Sequence, residues 1–204
     1  MSILDLAPVV PVVVIDDVET AVPIARALVA GGLPAIEVTL RTPCALEAIT
    51  RIAAEVPGAV VGAGTVRTPA DVAAAVRAGA GFLVSPGSTP ALVAAMLESG
   101  VPFLPGAATA SEVMALAERG LTELKFFPAE PAGGVAYLKA LGGPLPQVRF
   151  CPTGGIRPQT APAYLALPNV GCVGGTWLTP ADAVAAGDHA RIEKLAAEAA
   201  ALRG

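Results

Sequence analysis

The chain has 204 residues, 54% of them hydrophobic, and a formal net charge of −4. This is enough chain for one domain, spanning 1–204, with a substantial core. The basic residues are scattered rather than clustered, which argues against nucleic acid as a partner, and no apolar run reaches the ~18 residues of a membrane span.

The N-terminal MSILDLAPVVPVVVIDD lacks a basic region and a small-residue cleavage site, and two prolines interrupt it, so it does not read as a signal peptide. The cysteines, Cys44, Cys151 and Cys172, are odd in number, widely spaced and without a C-x-x-C pair. They suggest neither a disulfide framework nor a zinc site, and a reducing cytoplasm fits them best.

Short apolar runs alternate with helical patterns along the whole chain. The predicted strands are Val9 to Ile15, Ala35 to Leu40, Val60 to Ala63, Phe82 to Ser85, Phe103 to Leu104, Glu123 to Phe126, Gln147 to Cys151 and Val170 to Val173. Helix starts are marked by Thr68-Pro69, Thr89-Pro90 and Thr179-Pro180, a hydroxyl cap followed by a residue whose fixed φ and missing N–H suit a first turn. Thr109 to Glu112 adds a capping-box pattern, and Gly31, Gly79, Gly100 and Gly120 are expected to close helices in the left-handed conformation.

Eight β-then-α units in one composition regime predict an α/β fold of the (β/α)8 TIM-barrel type, with a doubly wound open sheet as the alternative. The barrel is favoured because polar and glycine-rich residues follow most of the strands. An open sheet concentrates its ligand residues at one switch point.

Three lysines exist, and Lys139 and Lys194 fall in helical patterns. Lys125, in Leu124-Lys125-Phe126-Phe127, shares one strand face with Phe127. Desolvation disfavours an ammonium, and a neutral amine is the form that attacks a carbonyl. The plainer alternative is a lysine that reaches out of the barrel mouth to a surface carboxylate.

In Ile36-Glu37-Val38-Thr39-Leu40-Arg41 the alternation places Glu37, Thr39 and Arg41 together on the inner face. Ionisable groups are seldom buried without a partner or a function. Glu37 and Arg41 therefore either bridge each other to stabilise the barrel, or work with Lys125 and a charged substrate. In the second case Glu37 would shuttle protons and Arg41 would hold a carboxylate through its planar fork.

Thr153-Gly154-Gly155 and Gly174-Gly175-Thr176 follow the last two strands, where many barrels bind phosphate with backbone N–H groups and a helix N-terminus. Gly62-Ala63-Gly64-Thr65 is a weaker third candidate. Zinc-assisted aldol cleavage usually needs a histidine cluster, and the only histidine is His189, expected on the surface of the C-terminal helical region. Ser-His-Asp and Cys-His schemes fall by the same shortage.

The segments IEVTLRT (36–42), VGAGTV (61–66), SPG (85–87), LPG (104–106), LKFFPAE (124–130), RFCPTGGI (149–156) and VGGTWL (173–178) resemble, in order and spacing, the bacterial 2-keto-3-deoxy-6-phosphogluconate (KDPG) aldolases, which often also cleave 4-hydroxy-2-oxoglutarate. The resemblance implies a class I aldolase of the Entner-Doudoroff pathway that needs no cofactor and no metal. By the same resemblance it would release pyruvate and glyceraldehyde 3-phosphate and would be a homotrimer of (β/α)8 barrels.

Position by position, the resemblance implies Lys125 as the Schiff-base nucleophile and Glu37 as general acid/base. Arg41 and Thr65 would bind the pyruvyl carboxylate, and Pro86 and Phe127 would shape the pocket around the imine. Gly154, Gly155, Gly175 and Thr176 would hold the distal phosphate, with Thr153 toward the sugar hydroxyls. Two departures stand out. The position of Thr176 is commonly serine in the family, a change that bears on phosphate affinity. The chain also reaches its first strand without the leading helical segment of many relatives, which leaves one end of the barrel less well covered. The rival readings are an aldolase for the galactonate epimer, a non-covalent phosphate-sugar-binding barrel, and an isomerase.

Overall fold

The structure is a computed structural model that describes residues 2–203. The helices among these residues include none long and apolar enough to cross a membrane. Strands and helices alternate: β1 Val9–Val13, α1 Ala21–Ala30, β2 Ala35–Thr39, α2 Ala45–Glu55, β3 Val60–Gly64, α3 Pro69–Arg77, β4 Phe82–Val84, α4 Pro90–Glu98, β5 Phe103–Leu104, β6 Gly106–Ala107, α5 Ala110–Ala117, β7 Glu123–Phe126, α6 Gly134–Gly142, β8 Arg149–Pro152, α7 Ala161–Leu165, β9 Val173–Gly175, α8 Ala181–Ala185 and α9 His189–Ala200.

Every ladder is parallel, in the orders β5-β4-β3-β2-β1-β9 and β6-β7-β8. Single bridges, Phe150 to Val170 and Thr153 to Gly174, connect the region of β8 to that of β9. The expected fifth strand, Phe103 to Leu104, pairs with β4; beyond a break at Pro105 an unexpected short strand, Gly106 and Ala107, pairs with β7, and the Pro105 carbonyl accepts from the Lys125 N–H at 3.0 Å. Together these strands form one curled parallel sheet with helices outside it.

The curl gives two apolar layers. Outward residues such as Val38, Leu124, Phe126 and Phe150 pack with helix residues such as Leu28, Ile49, Val113 and Tyr164. Inward residues Val10, Ala35, Phe82, Val84, Leu104, Cys151 and Cys172 form a second cluster with Ile3 and Leu4. Glycine makes room there, since a Cβ on Gly62 would overlap the Phe82 ring.

Ile3 and Leu4 belong to a 3-10 turn, Ile3–Asp5, capped by the Ser2 hydroxyl, which also donates to Glu123 Oε1 at 2.7 Å. Leu4 is fully buried, so this turn covers the amino-terminal end of the curl that the sequence reading left open. One turn carrying two large apolar side chains supplies the cover, and burying such a side chain contributes about 1.5–3 kcal/mol.

Local signals place the helices. Thr68 and Thr109 make reciprocal capping boxes with Asp71 and Glu112, and Thr89 caps α4. Two expectations fail. Thr179 does not cap α8: the extended Pro180 occupies the cap position and offers no side-chain bond. Gly31 has φ −75° rather than a left-handed value, and its small size serves packing instead, because a Cβ there would overlap Ala196 of α9. Left-handed glycine follows one residue later, at Gly32. Gly79, Gly100 and Gly120 all have positive φ. His189, half-buried, begins α9.

Candidate active site

β2 and β7 carry the central pair. Their alternation sends Ile36, Val38, Leu124 and Phe126 to the helix layer and leaves Glu37 and Lys125 on the inner face. Lys125 Nζ lies 3.2 Å from Glu37 Oε1, with the two residues only 4% and 3% exposed. The lysine therefore does not reach a surface carboxylate, and the Glu37–Arg41 bridge weighed as an alternative is not formed. Gly64 makes space for Glu37, since a Cβ on it would run into the glutamate side chain. The Phe127 ring closes the other side, with its centroid 5.4 Å from Nζ.

Arg41 follows β2 at the exposed carboxyl end of the strand, and its Nε donates to Thr65 Oγ1 at 3.0 Å. Thr65 has φ +59°, a left-handed conformation that a β-branched residue adopts at a cost of about 1–3 kcal/mol. Strained backbone thus holds a hydroxyl and a guanidinium together at the mouth.

A cleft of about 200 Å³ at this end is lined by Arg41, Lys125, Phe127, Thr153, Gly154, Gly155 and Thr176, with Val12, Ile156 and Gly174. Glu37 lies beneath it through its bond to Lys125. Pro86 and Gly175 are not lining residues. Pro86 is half-buried after β4 with its backbone against Gly106, and Gly175 turns outward, where a Cβ would meet the Trp177 ring. Its neighbour Gly174 faces inward, against Thr153.

Gly154 and Gly155 have φ +107° and +82°, conformations that glycine adopts without strain. The amides of Gly155 and Ile156 donate to no acceptor among the described residues. No helix starts directly after either glycine segment: α7 begins at Ala161 and α8 at Ala181, each five residues long. Any anion here would meet turn amides rather than a helix terminus. Gly62 and Gly64, the weaker phosphate candidates, are instead explained by the bulk of Phe82 and Glu37 beside them.

Sequence reasoning passed over Val12 and Ile156, although Val12 is the register partner of Glu37, and it placed Gly174 in a candidate segment without giving it a role. It also missed the support beneath the glycine turn. Tyr164, fully buried, donates its hydroxyl to Glu130 Oε1 at 2.9 Å. Burial first, and the Glu130 carboxylate second, push its phenol well above the ordinary range. Glu130 N–H in turn donates to the Gly154 carbonyl at 3.0 Å, and Ala129 N–H to that of Thr153 at 2.8 Å.

A groove of about 490 Å³ adjoins the cleft and shares Val12 and Thr176 with it, and Asp16 and Asp17 lie on its wall.

Residues 1–195 match the family model described as KDPG and KHG aldolase. The "KHG/KDPG aldolase" of Escherichia coli strain K12 is 57% identical over 198 residues, which cover 97% of this chain and 93% of that protein. The KDPG aldolase of Legionella pneumophila, solved with pyruvate captured as a covalent carbinolamine intermediate, superposes with a TM-score of 0.94 at 45% identity, covering 97% and 96% of the two chains. The Zymomonas mobilis enzyme, solved with 3-phosphoglycerate, gives a TM-score of 0.93 at 52% identity, covering 98% and 94%.

Proposed function

Since the chain belongs to the KDPG and KHG aldolase family, we propose that it is a class I aldolase in which Lys125 forms the Schiff base and Glu37 moves the protons. It is a carbon–carbon lyase that cleaves KDPG to pyruvate and glyceraldehyde 3-phosphate, and it also takes 4-hydroxy-2-oxoglutarate. The observation that carries the residue assignment is the buried contact between Lys125 Nζ and Glu37 Oε1 at 3.2 Å.

Proton transfer along that contact yields a neutral amine and a carboxylic acid, the two forms that the first steps require. The amine attacks the ketone of the substrate to give a carbinolamine. Glu37 protonates the departing hydroxyl, water leaves, and a protonated imine forms. Glu37, again a carboxylate, then takes the proton of the hydroxyl on carbon four as the bond between carbons three and four breaks. The electron pair of that bond flows into the imine to give an enamine, and the aldehyde departs. Glu37 returns that proton to carbon three of the enamine, and hydrolysis of the resulting imine releases pyruvate.

Arg41 and Thr65 suit the pyruvyl carboxylate, because the Nε bond to Thr65 leaves the two terminal guanidinium nitrogens of Arg41 for a bidentate contact. Phe127 and Pro86 shape the imine end. Gly154, Gly155 and Thr176, which line the cleft, hold the phosphate, with Gly175 lending only backbone beside them and Thr153 toward the sugar hydroxyls. The free amides of Gly155 and Ile156 support the glycine side for the anion, and Asp16 and Asp17 in the adjoining groove would repel it.

The strand break at Pro105 and the bridges from the β8 region to that of β9 support reading residues 1–204 as one closed (β/α)8 barrel. Three copies per molecule and a cytoplasmic setting complete the proposal. None of the three cysteines is in a disulfide. A light-scattering mass at three times the monomer value would support the trimer, and any other mass would reject it.

The deciding experiment is incubation with pyruvate and borohydride, followed by peptide mass spectrometry. A stable adduct on Lys125 is expected. Folded protein without an adduct would favour a non-covalent binding barrel or an isomerase, in which Lys125→Arg keeps activity. Rates on KDPG, its galactonate epimer and 4-hydroxy-2-oxoglutarate rank the substrates.

A further inference from the structure

Glu37 and Thr39 alternate along the inner face of β2, Arg41 follows where the strand ends, and the mechanism above uses Glu37 and Arg41. Thr39 lies between them, fully buried, and its Oγ1 is the one buried side-chain polar atom with no hydrogen-bond partner among the described residues. Buried polar groups are almost always satisfied, and an unsatisfied one costs stability. Valine would fill the same volume on a parallel strand without that cost.

Register places this hydroxyl. Thr39 pairs with Gly64 across the β2–β3 ladder. The Glu37 carboxylate lies against the same Gly64, and it accepts from Lys125 Nζ. Thr39 and the Glu37 carboxylate therefore flank one glycine, below the Arg41–Thr65 pair, and the carboxylate reaches the amine. The Thr39 hydroxyl is an unfilled donor and acceptor close to that carboxylate, and the proposed reaction makes and consumes water, a partner small enough to meet it as the carboxylate shifts.

We propose, on the basis of the Lys125 imine reading, that the Thr39 hydroxyl holds the water exchanged at the imine. As the carbinolamine dehydrates, its carbon–oxygen bond breaks and the hydroxyl takes a proton from Glu37. The nitrogen lone pair closes the C=N bond, and the water so formed leaves onto Thr39. In hydrolysis the same water, held by Thr39, gives a proton back to Glu37 and adds its oxygen to carbon two. Thr39 exchanges no proton of its own and positions the water against Glu37.

The test follows the time course of borohydride-trapped pyruvate adduct on Lys125, together with steady-state turnover of KDPG and thermal melting, in wild type, Thr39→Val and Thr39→Ser. Thr39→Val is expected to form adduct and to turn over about tenfold more slowly, the rate equivalent of one neutral hydrogen bond. It should melt no lower than wild type, and Thr39→Ser should restore the rate. Wild-type rates in Thr39→Val would overturn the proposal while leaving Lys125 in place. A slow Thr39→Val that melts lower and is not rescued by serine would mark a packing role and also overturn it. Absence of adduct in the wild type would remove the imine reading and this inference with it.

Discussion

The α-carbon of Gly64 lies against the carboxyl group of Glu37, and a Cβ at that position would come within 2.7 Å of Glu37 Cδ. Gly64→Ala must therefore push Glu37 away from Lys125. Turnover is expected to fall at least a hundredfold, the lower range for losing an acid/base group. Gly62→Ala, one pleat lower, would instead strike the Phe82 ring. It should cost about 1–3 kcal/mol of stability by overpacking, with turnover per folded molecule retained. Thermal melts and kcat on both variants separate the two cases.

Truncation at Lys125 would leave Glu37 as a buried carboxylate without its partner. Lys125→Ala is expected to lose about 3–5 kcal/mol, whereas Lys125→Ala/Glu37→Gln should recover much of it, because the amide carries no uncompensated charge. Glu37→Gln alone should keep the fold and slow turnover about 10²–10⁴-fold. Urea melts and steady-state kinetics check both statements, and a near-normal rate in Glu37→Gln would remove it from the mechanism.

Thr65→Ala removes the hydroxyl that accepts from Arg41 Nε. With the guanidinium released, KM for KDPG should rise about tenfold while kcat changes little, the pattern of a lost uniform binding contact. A fall in kcat with KM unchanged would place Thr65 in the chemistry instead.

Tyr164 supplies the pH dependence. Its phenol is raised in the folded state, first by burial and then by Glu130, so its contribution is fully present below the ordinary phenol value of about 10 and is lost as pH rises above it. Tyr164→Phe, which forfeits the bond to Glu130, should be less stable than wild type by about 0.5–1.5 kcal/mol at pH 8. The gap should narrow by pH 11. Denaturant melts at the two pH values measure it, and a constant gap would show that the hydroxyl does not titrate on unfolding.

Much of this arrangement was legible because its causes are local. A threonine before proline or three residues before glutamate can satisfy helix amides within one turn, and strand alternation alone put Glu37 and Thr39 on one face of β2 and Lys125 on the face of Phe127. What escaped depends on distant partners. Gly31, Gly62 and Gly64 resemble flexible turns or anion cradles in sequence, yet each is small because of a side chain from another element. Gly174 and Gly175 differ by one register step, which sends one inward to Thr153 and the other outward to Trp177. The Tyr164–Glu130 bond spans 34 residues and leaves no periodic trace.

The Ile3–Asp5 turn separates two kinds of inheritance within one molecule. The residues that it packs with, such as Phe82 and Val10, lie at the opposite end of the sheet from the cleft that Arg41, Thr153 and Thr176 line. Variation at the floor would change how much active protein a cell accumulates while each surviving molecule works at the same rate. Variation at the mouth would change what those molecules accept and leave their number alone. A lineage can therefore explore new keto acids at one end of the sheet while selection for folding acts at the other.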